Sequence, residues 1–134
     1  MKKNKIKKQL LILALTCSAL LTLTNPAIAV NYKVGDVLYC EGESGAFVEK
    51  PEFKFTKWSM FNFKFKILNK SIIKFGSGGH FSDSEYKIQF LAGDLLEAYD
   101  FDSGSVFNLY QGRFTHGSAN VIAASMMTGR CDKF

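Results

Sequence analysis

Phe61-Asn62-Phe63-Lys64-Phe65-Lys66-Ile67 decides how this chain folds. Apolar and polar residues alternate strictly along it. In an extended strand, Phe61, Phe63, Phe65 and Ile67 share one face, and Asn62, Lys64 and Lys66 share the other. A helix would scatter the four apolar side chains around its axis. The period is therefore two, and the segment is a strand with one face in the core and one in water.

The same pattern continues on both sides. Val37 to Cys40 is a first strand, and Glu41-Gly42-Glu43-Ser44-Gly45 reads as a turn after it. Pro51 suits an edge or loop, and Phe53-Lys54-Phe55 alternates. Beyond the central segment, Leu68 to Ser71 turns and Ile72 to Phe75 is a strand. Gly76-Ser77-Gly78-Gly79 turns again, and Tyr86 to Phe90 alternates. Leu95 to Phe101 and Val106 to Tyr110 read as a hairpin around Asp102-Ser103-Gly104-Ser105. Asp94-Leu95-Leu96-Glu97 also fits a capping box, which leaves a helical turn open there. Arg113 to Thr115 is short. Val121 to Met127 is taken as a strand although its alanines suit a helix. The expected fold is all-β: a small antiparallel meander of about eight strands, forming a closed or nearly closed barrel.

Residues 1–29 are of another kind. Five lysines lie within Met1–Lys8, Leu10 to Leu23 is nearly all apolar, and Ala27-Ile28-Ala29 closes the segment with small side chains. These are the three parts of a secretory signal peptide, with cleavage expected after Ala29. The apolar run is short for a membrane span, which needs about 20 residues. Cys17 lacks the residues that precede a lipidated cysteine. The expected division is 1–29 signal peptide and 30–134 a single β-domain, periplasmic or secreted in a bacterium, with no transmembrane segment after cleavage.

Removing the signal changes the charge. The whole chain carries 17 Lys+Arg against 12 Asp+Glu, a net +5. Five of those bases lie in the first eight residues, so residues 30–134 are neutral. What remains is a pattern. Residues 50–74 are basic, with seven lysines against Glu52, and 83–102 are acidic, with six carboxylates against Lys87. Within the basic stretch Lys54, Lys57, Trp58, Lys64 and Lys66 are the candidate binding residues. Lysines among aromatics can bind single-stranded nucleic acid. Here the alternation puts Phe and Lys on opposite faces, so they cannot line one groove, and no nucleic-acid partner is expected. A solvated lysine face also guards a strand edge.

Cys40 and Cys131 lie near the two ends of residues 30–134. An even pair in an exported chain reads as a disulfide. It would join the first and last strands and bring their Cα atoms within about 6 Å.

Chemistry is sparse. His80 follows the glycine run and reads as an exposed turn residue. His80 and His116 lack the spacing of a metal site even with Asp83, so no metal is expected. Gly76–Gly79 lacks the ending of a phosphate loop. Glu41 and Glu43 could form a carboxylate pair. No nucleophile-and-base pattern occurs, and no cofactor is implied, so the chain reads as non-enzymatic.

Val37-Leu38-Tyr39-Cys40-Glu41, Ser44-Gly45-Ala46-Phe47, Gly112-Arg113-Phe114 and Thr128-Gly129-Arg130-Cys131-Asp132-Lys133-Phe134 carry a resemblance. The chain resembles small exported bacterial proteins of uncharacterised function, which implies a disulfide-closed β-domain without catalytic residues. Ser44-Gly45 is similar to the inhibitory loop of periplasmic lysozyme inhibitors, although the rest of that pattern is missing. Lipocalins are similar in barrel character, but no Gly-x-Trp precedes the first strand. Two functions follow as expectations. One is binding of a protein or envelope partner, with an inhibitor as one form of it. The other is carriage of a small apolar ligand in a Phe-lined cavity.

Overall fold

A computed structural model describes residues 30–134 except Phe53; the side chains of Lys54 and Phe55 are also outside the description. The expected signal peptide, its expected cleavage point and Cys17 lie outside the described residues. The described residues form nine strands: β1 (Val37–Glu49), β2 (Lys54–Lys57), β3 (Asn62–Asn69), β4 (Ile72–Phe75), β5 (Glu85–Ala92), β6 (Leu95–Asp100), β7 (Ser105–Tyr110), β8 (Arg113–Ala119) and β9 (Ala123–Lys133).

Every pairing is antiparallel. β3 to β9 follow one another in order, and β9 returns to pair with β1, so eight strands close a barrel and β2 adds a ninth beside β1. Closure removes the free edges that an open sheet would leave. Cys40 and Cys131 are directly opposite in the β1–β9 register. They form the disulfide, with Cα atoms 4.0 Å apart. Barrel, core and disulfide are all built from residues 30–134.

The alternation of β3 is realised as read. Phe63, Phe65 and Ile67 are buried, while Asn62, Lys64 and Lys66 face water. An eight-stranded barrel has an interior just wide enough for side chains to fill. Here aromatic rings fill it. Phe63 packs against the rings of Phe75, Phe81, Phe107 and Phe114 at 4.6–6.2 Å between centroids. Phe65 packs on Phe75 and Phe107 at 5.6 and 5.3 Å. Most of these contacts are tilted or edge-on, the arrangement that ring quadrupoles favour.

One reading of the sequence needs correction, and one alternative left open is closed. Residues 41–45 are not a turn. They run inside β1, where the register against β9 shifts between Gly42 and Ser44. The Gly and Ser that suggested a turn serve a bulge instead. At Gly42 the missing side chain makes room for a ring, since a Cβ there would meet Phe61 Cε1 at 2.7 Å. The capping-box segment is also strand, because Leu96 and Ala98 of β6 are core residues. Tertiary burial overrides the local helical signal.

One end of the barrel is closed by the chain's own N-terminal segment. Tyr32 is buried, its N–H donates to Gly93 O at 2.8 Å, and its hydroxyl accepts from Gly112 N–H at 2.9 Å. Burial raises its pKa. Beside it, Lys133 Nζ meets the buried Asp36 carboxylate at 2.8 Å. The opposite end carries the turns 50–52, 76–84, 101–104 and 120–122, together with Trp58.

Candidate functional site

The five candidate binding residues are divided by the fold. Lys64 and Lys66 project outward from β3, opposite Tyr39 and Val37 of β1. Lys54 and Lys57 lie on β2, opposite Glu49 and Ala46 at the far end of β1. A strand rises about 3.3 Å per residue, so Lys57 and Lys64 stand roughly 20 Å apart along β1. No single lysine-rich groove contains all five. On β4 the basic stretch meets the acidic one: Lys74 pairs with Glu85 of β5 at 3.2 Å.

Trp58 turns toward the barrel mouth rather than toward the lysine face of β3. Its backbone N–H donates to Gly45 O at 3.0 Å, which ties the end of β2 across the bulged strand. Its ring lies 5.8 Å from Phe47, 6.3 Å from Phe61 and 4.7 Å from His80. The indole therefore sits at the mouth of the barrel, partly buried against the core.

His80 is exposed in the 76–84 loop, as read, but it is not isolated. That loop folds across the mouth and drops Phe81 into the core. The fold brings the His80 ring to 5.8 Å from that of His116. His116 is only 2 % exposed. Its Nε2 lies 3.0 Å from Tyr86 Oη, while its Nδ1 is buried without a hydrogen-bond partner. Burial, reinforced by the nearby His80, lowers its pKa to about 4. Burial lowers that of His80 as well. Both rings are neutral at pH 7. Tyr86 is raised by burial, with the Ser105 and Ser103 hydroxyls and Asp100 acting on it. His116 and Tyr86 thus form a buried polar pair beside the aromatic cluster.

Glu41 and Glu43 do not pair with each other. Glu43 holds Arg113 through both oxygens at 2.9 and 2.6 Å, and Glu41 holds Arg130 at 2.9 Å. The Arg113 guanidinium keeps the Glu43 carboxyl below its usual range. These two pairs form a belt around the outside of β1, β8 and β9.

Between that belt and the Trp58 end lies a surface the sequence does not advertise. Its outward positions are Val106 and Asn108 of β7, Thr115, Gly117 and Ala119 of β8, Ala124, Met126 and Thr128 of β9, and Ser44, Ala46 and Val48 of β1. They lie in register: Val106, Gly117, Met126 and Ala46 are successive cross-strand neighbours. None of these residues is charged. Small side chains at its centre leave a shallow recess of about 480 Å³ over β7, β8 and β9. A second recess, of about 520 Å³, lies between Met126, Ala46, Lys57 and Trp58. Met126 is 59 % and Val106 47 % exposed. Lys57 stands at the rim.

Comparison with known proteins adds no assignment: no family model, no curated protein and no solved structure matches this chain.

Proposed function

We propose that this chain is an exported, non-enzymatic binding domain that docks a protein partner on the uncharged outer face of β7, β8, β9 and β1. The observation that carries this reading is the face itself. Between the Glu–Arg belt and the Trp58 end, four adjacent strands present neutral, mostly small side chains outward, with exposed Met126 and Val106 among them. Protein interfaces are depleted of charge at their centres and enriched in Met and aromatic residues. Trp58 and Lys57 border the face, as a polar and aromatic rim borders an interface core. The partner is accordingly a protein with an apolar protrusion that fits a shallow recess, and with acidic groups placed to meet Lys57.

We favour this reading over an apolar-ligand carrier. Such a carrier needs a hollow barrel, and the phenylalanines that would line a cavity are packed on one another.

Met126→Glu tests the reading. It places a charge at the centre of the face on an exposed side chain, so the fold should keep its melting temperature. Loss of a partner retained by the wild-type protein, with affinity down at least about 30-fold, is the expected result. Unchanged retention of that partner would overturn the proposal.

A further inference from the structure

The paired histidines at the barrel mouth carry a second inference, independent of the outer face. His116 is a neutral imidazole inside an aromatic core, with one nitrogen on Tyr86 Oη and the other unpartnered. A buried N–H donor without an acceptor is rarer in proteins than an unmet acceptor. The favoured tautomer therefore has the proton on Nε2, donated to Tyr86 Oη, and leaves a bare lone pair on Nδ1. A buried unpartnered polar group calls for an explanation, and an ion is one of the standard ones.

A second imidazole stands beside it. An ion about 2.0 Å from one nitrogen of each of two rings sets the ring centres about 5–6 Å apart. His80 and His116 are 5.8 Å apart. His80 is exposed, which gives a route from solvent, and Trp58 packs on its ring at 4.7 Å. Met127, the cross-strand neighbour of His116, brings a buried thioether to the same wall.

We propose that His80 and His116 form a two-imidazole site for copper(I) at the mouth of the barrel. The donor set selects the ion. Among the described residues no cluster of three or more His, Cys, Asp or Glu forms, so the pair does not meet the four-ligand demand of zinc or the oxygen demand of magnesium and calcium. Copper(I) accepts two neutral nitrogen donors and favours soft neighbours such as a thioether. The thiols do not compete, since Cys40 and Cys131 are bonded to each other.

The test uses residues 30–134 with the disulfide intact, silver(I) as a redox-stable substitute and copper(I) under anaerobic conditions. Native mass spectrometry should show one ion per chain. Binding should quench the fluorescence of Trp58, the chain's only tryptophan. His80→Ala trims a loop side chain at the mouth and leaves the barrel core intact, so the variant should remain folded by thermal melting while its copper(I) affinity, measured against a competing chelator, falls at least tenfold. Failure of the wild type to retain either ion would overturn the site. So would an equal affinity in a folded His80→Ala protein.

Discussion

At the scale of single residues, His116 carries the plainest pH dependence. Its folded pKa of about 4 lies below the unfolded value of 6.5. Between these values the unfolded chain binds more protons than the folded one, so stability falls as pH drops through that window. The loss from this group approaches about 3 kcal/mol at the acid end. His80, lowered in the same direction, adds to it. Urea unfolding at pH 7 and pH 4.5 should show the decline, and His116→Phe should flatten it. A stability that rises on acidification over this range would contradict the burial of His116. Phe63 is the corresponding apolar test. It is nearly buried and touches five phenylalanine rings, so Phe63→Ala should cost about 3–5 kcal/mol. A loss below 1 kcal/mol would mean that this face of β3 is not core. The inward face of β3 was legible because alternation in one short segment determines it. The meeting of His80 and His116 was not. They are 36 positions apart, and only the folding of the 76–84 loop across the mouth joins them.

At the scale of elements, β1 shows why glycine-rich stretches mislead. Gly42, Ser44 and Gly45 have turn composition, yet the strand runs through them. The reason lies in the partners. Gly42 faces Gly129 across the β1–β9 ladder, and Phe61 covers Gly42. At Gly129 an added Cβ would collide with the carbonyl oxygen of Glu41 and with the Phe114 ring. Backbone cannot yield as a side chain tip can, so Gly129→Ala should destabilise by about 2–4 kcal/mol. Thermal melting checks this, and a shift of under two degrees would contradict the close approach of β1 and β9. None of these contacts is local, so the sequence around Gly42 could not reveal them. The uncharged face was hidden for a similar reason. Each of its four strands contributes only two or three small residues, and each alone looks like ordinary alternation.

At the scale of the whole molecule, the disulfide and the barrel are one device. Joining β1 to β9 closes both the sheet and a covalent loop between positions 91 residues apart. A loop of that length is worth about 4–5 kcal/mol in the chain-entropy model. Cys131→Ser should therefore lower stability by several kcal/mol, and intact mass of the wild-type protein should show both cysteines oxidised; two free thiols would contradict the closure. The proposed recognition lies on the outside of the barrel, on the neutral face rather than the lysine face. A photo-reactive phenylalanine analogue, placed in turn at positions 106, 126 and 66 of the protein in its own cells, tests that assignment most directly. One discrete protein adduct from positions 106 and 126, with none from position 66, is the predicted result. An adduct from position 66 alone, or none from any of the three, would contradict it.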